Sequence, residues 1–381
     1  MEFQRIDEKS FSGNVKLLKL LGLYPYSSCP KIYPFYAYTF YVLFTCPTPT
    51  LCMVNLFFVE EITLQRVANT FFMITQIGIL IVKLLPFKNN PEGEVLVDKC
   101  VKTCKNIFHL FYAFCLATLF TWPLKALFNQ EEGRRTLPAE VWLPFDAYED
   151  ITVYCAVFVF VWLCVANAAG GNAALDTLVA GLICHAATQV AILKDTLEDL
   201  ARTVDDQIEE ESEMMSEAEK NQLRSRTIYK KICECIDHYD AIDQFVKDLE
   251  KTYSFVVFTQ FVASILVICI SCLQLSIVKP FTVPFFAMVI FVTTMLTEIY
   301  LFCYYGTVLY EESDSIVNAI YMSEWYNYDN KSKKALITLM ERAKRPMVVT
   351  AGKLLDLSLV TFTTIIRRSY SLLAVLKNYS N

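Results

Sequence analysis

Residues 155–183 read CAVFVFVWLCVANAAGGNAALDTLVAGLI, and Asp176 is the only charged side chain among them. A bilayer core about 30 Å thick is crossed by roughly twenty helical residues, because each advances about 1.5 Å and lipid offers no partner to an unpaired backbone amide. The small residues around Gly170 and Gly171 also permit close approach of a second helix. The stretch therefore predicts a membrane-spanning helix that begins near Ile151.

Six further stretches qualify as spans, in a chain that is 55% apolar and only 19% charged. The last of them, Lys353 to Lys377, is the most polar, since it holds Asp356, Arg367 and Arg368 beside three threonines and three serines. The other five are Pro34 to Val59, Val67 to Leu85, Ile107 to Leu127, Ser254 to Ile277 and Pro284 to Tyr305. The sequence thus predicts an all-α integral membrane protein with seven transmembrane helices.

Lysine and arginine residues set the orientation of these spans, because basic loops stay on the cytoplasmic side. The N-terminal segment and the loops after spans two, four and six hold 26 of them, whereas the remaining loops and the tail hold 6. We therefore expect a cytoplasmic N-terminus and, after seven crossings, an extracellular C-terminus. G-protein-coupled receptors have the opposite orientation.

Glycine is absent between Gly181 and Gly306, so we expect spans four and five to continue into the cytoplasm as helices. In the loop between them, an acidic block from Asp195 to Glu219 precedes a basic block from Lys220 to Lys231. Such blocks either pair across helices or subunits, or form a solvated face. A short basic amphipathic helix, Asn14 to Leu23, is expected at the cytoplasmic interface.

The predicted segments follow from these boundaries. They are a cytoplasmic N-terminal segment with the amphipathic helix (1–33), spans one to four (34–193), a cytoplasmic helical loop (194–253), spans five and six (254–305), a cytoplasmic loop with the inner part of the last helix (306–352), and span seven with a short extracellular tail (353–381).

Several classes of function are not indicated by the sequence. A net charge of -6 argues against nucleic acid as a partner, and most of the fourteen cysteines lie in apolar runs, as free buried thiols do. Two Cys/His groups stop at three ligands, which argues against a metal site: Cys233, Cys235 and His238, and Cys100, Cys104 and His109. We find no nucleotide-binding loop, nucleophile elbow or HExxH motif, so the sequence predicts neither an enzyme nor a cofactor.

The C-terminal third resembles the insect odorant receptors, a family of inverted seven-helix proteins. In GTVLYEESDSIVNAIYMSEWY, the residues that match the pattern after the sixth span are Gly306, Ser313, Ala319, Tyr321, Ser323, Trp325 and Tyr326. The AGK, SLVTF and SYS elements of MERAKRPMVVTAGKLLDLSLVTFTTIIRRSYSLLAVLKN are similar to the last helix of the family. TLPAEVWLPFD, Thr136 to Asp146, is similar to its third loop. The resemblance covers the topology of the whole chain and the motifs of Gly306 to Asn378.

The resemblance implies a subunit of a ligand-gated, non-selective cation channel in the plasma membrane of olfactory neurons, at the sensory dendrite. The chain lacks the long insertion that the shared co-receptor carries in its fourth loop, so it resembles an odorant-tuning subunit. The implied partners are co-receptor subunits in a hetero-oligomer, presumed tetrameric by that resemblance, together with a small volatile ligand and membrane lipid. A gustatory receptor-type channel, a G-protein-coupled receptor and a transporter remain as alternatives, although SYSLLAVLKN departs from the usual ending of the gustatory branch.

Family membership also implies that span seven lines the pore. Lys353, Asp356, Thr364, Arg367 and Ser371 recur on roughly one helix face, as a water-lined helix requires. In the family a hydrophobic constriction closes the pore near the outer end of this helix, which corresponds to Leu373 and Leu376, with Lys377 at the mouth. Leucines that face lipid are the alternative.

The odorant is implied to bind in the extracellular half of the helix bundle, where aromatic and small side chains suit recognition by shape and dispersion. The candidate residues are Phe71, Phe72, Thr75, Phe114, Thr118, Trp122, Tyr154, Phe158, Phe285, Phe286, Val289 and Val292. Plain core packing is the alternative for each.

Glu298 lies in the inner half of span six, where a charged carboxylate facing lipid would cost free energy. We therefore expect it to pair with a basic residue or a tyrosine on a neighbouring helix, in a functional or a structural role.

Overall fold

The computed structural model describes residues 12–21, 33–40, parts of 43–54, 98–128, 137–211 apart from 140 and 149, 216–278 and 280–380. The helices are α1 (Ser12–Leu20), α2 (Tyr33–Phe40), α3 (Asp98–Phe128), α4 (Ile151–Glu198), α5 (Leu200–Glu211), α6 (Glu217–Ile277), α7 (Val283–Asp314), α8 (Ile316–Met322), α9 (Asn330–Ala343) and α10 (Leu359–Ser380). A 3-10 helix covers Trp325–Asn327, and β1 (Thr350–Ala351) pairs antiparallel with β2 (Leu355–Asp356).

The chain divides into two compact units. The first contains Met1–Gly181, Phe255–Phe302 and Leu359–Asn381, and the second contains Leu182–Ser254 and Cys303–Ser358.

Within the described residues, four helices are long and apolar enough to cross a membrane. They are Cys104–Leu124, Ile151–Glu198, Glu217–Leu275 and Val283–Met322, and they coincide with predicted spans three to six except for the last few residues of spans three and five. Span two lies outside the described residues, and span one is described only in part. The helix of span seven, α10, is not among the four, consistent with its Thr, Ser and Arg content.

The long helices predicted around the fourth loop are present. α4 runs for 48 residues to Glu198, and α6 runs for 61 residues from Glu217. The loop between them holds a third helix, α5. The absence of glycine and proline from this part of the chain leaves few positions at which a helix is easily broken.

The N-terminal helix α1 buries one face in the first unit. Asn14, Leu18 and Leu21 are buried, whereas Lys16 and Lys19 are exposed, so the described part of this segment has one buried and one exposed side. The Asn14 amide donates to the carbonyl oxygen of Ala174 and to the hydroxyl of Thr177, each at 2.7 Å. α1 therefore contacts the small-residue part of α4.

The last helix begins later than the sequence predicted. Lys353 lies in a turn and Asp356 in β2, so the expected helix from Lys353 is wrong over residues 353–358, and the segment 306–352 contains no inner part of that helix. The physical reason is the backbone of Gly352 and Lys353, whose φ angles of 63° and 58° are left-handed and incompatible with a right-handed helix. The turn is closed by the amide of Leu354, which donates to the carbonyl oxygen of Ala351 at 3.1 Å.

The structure explains why glycine and serine occupy two positions of the GTVLYEESDSIVNAIYMSEWY stretch, Gly306 and Ser313. A Cβ atom added at Gly306 would lie 2.1 Å from the carbonyl oxygen of Leu357, so only glycine fits beside this backbone. Buried Ser313 accepts a hydrogen bond from the amide of Met347 at 2.8 Å. Both residues fix the segment that leads into α10.

The helix α9 is held against α6 at both of its ends. Its N-cap, Asp329, accepts a hydrogen bond from the amide of Lys331 at 3.0 Å. The ammonium of Lys331 lies 3.8 Å from the ring centroid of Tyr229, and Arg342 pairs with Asp240 at 2.6 Å. The buried face of the helix follows a helical period: Ser332, Leu336, Leu339 and Ala343.

The acidic and basic blocks of the fourth loop pair within the chain. The guanidinium of Arg224 on α6 donates to both carboxylate oxygens of Asp205 on α5, at 2.5 and 2.9 Å. This hydrogen bonding raises the pKa of Arg224, against the opposing effect of partial burial. The expectation of pairing across helices is therefore confirmed for these two residues.

Replacing Gly306 with alanine is predicted to lower the free energy of unfolding by at least about 3 kcal/mol, because the new methyl group overlaps backbone that cannot rotate away. The matched control is Gly170→Ala, whose Cβ would meet only the side-chain end of Leu21, at 3.3 Å. Thermal unfolding of the detergent-solubilised protein measures both. Equal melting temperatures for the two variants would contradict the assigned backbone approach.

A double-mutant cycle of Asp205→Asn and Arg224→Gln is predicted to give a coupling energy of about 0.5–1 kcal/mol. The value is modest because the Asp205 side chain is 46% exposed and water screens the pair. The control cycle uses Lys230 and Glu234, whose charged atoms are 3.9 Å apart and more exposed, and its coupling should be near zero. Coupling that is no larger for the bidentate pair would refute the prediction.

Candidate functional site

Hydroxyl and aromatic side chains of α3 and α7 meet in the first unit. Thr118 and Trp122 lie one turn apart on α3, and Phe291 and Thr294 lie one turn apart on α7. The Thr118 and Thr294 hydroxyl oxygens are 3.2 Å apart, and the Trp122 and Phe291 rings meet edge to face with centroids 5.8 Å apart. Phe291 and Thr294 are buried, whereas Thr118 and Trp122 are half-buried. We call these four residues the Thr–Trp cluster.

The Trp122 indole joins this cluster to the loop before α4. Its Nε1 donates to the carbonyl oxygen of Pro138 at 2.8 Å, so Pro138 lies against α3. The ring also packs on a small core of buried residues with valines around it. The buried residues of this core are Cys52, Ala139 and Val161, and Val141, Val157 and Val165 also pack against them.

Other predicted ligand residues form two aromatic groups. At the start of α4, the rings of Tyr154 and Phe158 have centroids 5.8 Å apart, with Tyr154 buried. At the start of α7, Phe285 meets Phe286 at 5.7 Å, and Phe286 is 50% exposed. Val289 and Val292 are half-buried further along α7, and Phe114 on α3 accepts a hydrogen bond from Thr118 through its carbonyl oxygen at 3.0 Å. Phe71, Phe72 and Thr75 lie outside the described residues.

Sequence reasoning missed Phe291 and Thr294, because it selected neighbouring positions of α7. The buried face of that helix passes through Phe291, Thr294 and Glu298, which recur at steps of three and four residues. An ionisable residue in a span faces the protein interior, so Glu298 was the signal that marks this face. Counting back one and two turns from it gives Thr294 and Phe291.

Glu298 is part of a buried polar contact between α6 and α7. The side-chain amide of Gln260 donates to the Glu298 carboxyl group and lies 3.3 Å from the hydroxyl of Ser264. All three residues are at most 5% exposed. One partner of Glu298 on the neighbouring helix is thus the side-chain amide of Gln260.

One side of α10 is buried and the other is exposed in the single chain. Ile365 and Ser369 are buried, and the ring of Phe362 meets that of Tyr300 with centroids 5.6 Å apart. Thr364, Arg367 and Ser371 share the exposed side, at steps of three and four residues. Asp356 does not belong to this helix, as described above. The side chains of Leu373, Leu376 and Lys377 lie outside the described part of the chain.

Comparison with known proteins identifies the family. The family model "7tm Odorant receptor" matches residues 62–370. Odorant receptor Or1 of Anopheles gambiae is 24% identical over 354 residues, which cover 85% of this chain and 84% of the relative. Odorant receptor 85c of Drosophila melanogaster is 23% identical over 75% of this chain and 70% of its own length.

A solved structure has the same fold. The insect olfactory receptor OR5 from Machilis hrabei, in complex with eugenol, superposes with a TM-score of 0.78 over 98% of both chains, at 14% identity. At that identity the likeness is evidence for the fold alone. The prediction of an all-α, seven-helix membrane protein is confirmed. This multi-pass membrane chain therefore belongs to the insect odorant receptor family.

Proposed function

We propose that this chain is the odorant-binding subunit of a heteromeric, ligand-gated, non-selective cation channel in the plasma membrane of insect olfactory neurons. The observation that carries the proposal is the Thr–Trp cluster, in which aromatic and hydroxyl side chains of two spans meet within a fold that odorant receptors share. Such a lining binds small apolar molecules by shape and dispersion and orients them with few polar groups. The Machilis hrabei receptor of the same fold is in complex with eugenol, which supports a small organic ligand here.

The proposed partners are co-receptor subunits that complete a tetramer around one pore. Thr364, Arg367 and Ser371 on the exposed side of α10 line that pore, and Leu373 and Leu376 form its hydrophobic gate, with Lys377 at the mouth. The exposure of this polar helix side in the single chain supports a neighbour or water opposite it, because lipid does not solvate an arginine well. A gustatory receptor-type channel is the alternative.

Co-expression with an olfactory co-receptor is predicted to give odorant-evoked cation current when G-protein signalling is blocked. The chain expressed alone should give little or no current, because the proposed pore is complete only in the heteromer. Voltage-clamp recording over a broad panel of volatiles measures this. Silence across the panel despite surface delivery would refute the proposal, and current that requires an active G protein would favour the receptor class instead.

Cysteine substitution tests the pore-lining side of α10. A cysteine at Thr364 is predicted to react with a charged methanethiosulfonate reagent, because thiols ionise and react only where water reaches them. The reaction should reduce the odorant-evoked current and proceed faster while odorant is present.

The matched control is Ile366→Cys, two residues along the same exposed helix and turned away from Thr364, Arg367 and Ser371. Its current should resist the reagent, as should the current of the unsubstituted chain with its native cysteines. A faster loss of current with the cysteine at residue 366 than with the cysteine at residue 364 would show that the pore-facing side has been assigned wrongly.

A further inference from the structure

We infer that the Thr118–Thr294 pair is a hydrogen-bond acceptor for the ligand and selects volatiles that carry a hydroxyl group over those that carry only an acceptor oxygen. The inference rests on the proposed odorant-binding function and assigns a ligand class to it. The two residues face each other from α3 and α7, with hydroxyl oxygens 3.2 Å apart.

The protons of both hydroxyls are already used inside the protein. The Thr118 hydroxyl donates to the carbonyl oxygen of Phe114 at 3.0 Å, and the Thr294 hydroxyl donates to that of Ile290 at 2.9 Å. A hydroxyl has one proton and two lone pairs. If one threonine donates to the other instead, its proton is still used within the pair. Every arrangement of these bonds leaves lone pairs, and no proton, for a third group.

Trp122 offers no hydrogen-bond donor to the Thr118–Thr294 pair. The one polar hydrogen of Trp122, on Nε1, is directed to the carbonyl oxygen of Pro138. The indole ring and the ring of Phe291 therefore contribute apolar surface beside the two hydroxyls. The Thr–Trp cluster thus combines an apolar lining with an acceptor-only polar point.

A ligand O–H group satisfies this arrangement. It donates to a lone pair of either threonine oxygen without breaking that threonine's bond to its own helix. An ether or ester oxygen meets lone pairs at the same point, and it loses its hydrogen bond to water without a replacement. Alcohols and phenols are therefore the favoured class, and the matching methyl ethers are disfavoured.

The test measures odorant-evoked current in the heteromer for primary alcohols from butanol to decanol and for phenols, each against its methyl ether. Thr118→Val and Thr294→Val are each predicted to lower the alcohol-to-ether sensitivity ratio roughly tenfold, because the ligand O–H loses its acceptor while the ether loses nothing. Thr118→Ser keeps the hydroxyl and should keep the ratio. Thr118→Ala replaces the valine variant if that protein does not reach the cell surface.

Two matched controls lie on the same helices. Thr121 on α3 donates to the carbonyl oxygen of Ala117 at 2.9 Å, and exposed Thr293 on α7 donates to that of Val289 at 2.8 Å. Thr121→Val and Thr293→Val should leave the ratio unchanged. An unchanged ratio in Thr118→Val and Thr294→Val, or an equal fall in the controls, overturns the inference while leaving the proposed function intact. Silence of the unsubstituted heteromer toward every volatile overturns the proposed function and the inference with it.

Discussion

The pairing of backbone amides in a medium without water is the constraint on which the rest of the structure depends. A helix meets that demand within its own chain, whatever its neighbours are. The constraint explains why α4 tolerates Gly170 and Gly171 in mid-helix, since the alternative to the helix in lipid is an unpaired backbone. The two-stranded turn from Thr350 to Asp356 belongs to the second unit, although its residues from Lys353 onward were predicted as part of span seven.

Specific polar groups connect helices within the described part of the first unit. Lipid is as apolar as leucine, so association of helices relies on close packing and on hydrogen bonds rather than on exclusion of water. Among the described residues of the first unit, such hydrogen bonds include the Asn14 amide of α1 on α4, the Trp162 indole of α4 on the carbonyl oxygen of Leu119, the Gln260 amide on Glu298, and the hydroxyl pair of Thr118 and Thr294. The last two of these involve α7, whose buried face carries Thr294 and Glu298.

The sequence predicted the parts of the fold that follow from composition and from the spacing of apolar residues. It failed where local backbone geometry sets the boundary of a helix. Spans three to six and the long α4 and α6 helices follow from hydropathy and from the absence of glycine after Gly181. The late start of α10 could not be predicted in this way, because Lys353 adopts a left-handed φ angle that is uncommon for a residue other than glycine. In the candidate site, Thr118 and Trp122 of α3 contact α7, and of the residues singled out in the sequence only Glu298 indicates which face of α7 they meet.

The central claim is a seven-helix chain inserted with its N-terminus in the cytosol, since the assignments of the ligand side and the pore helix both depend on that orientation. Antibody access to epitopes placed at the two termini, measured on intact and on permeabilised cells, tests it most directly. The account predicts that the C-terminal epitope is labelled on intact cells and that the N-terminal epitope is labelled only after permeabilisation. Labelling of the N-terminal epitope on intact cells, or of both epitopes on the same side, would contradict it.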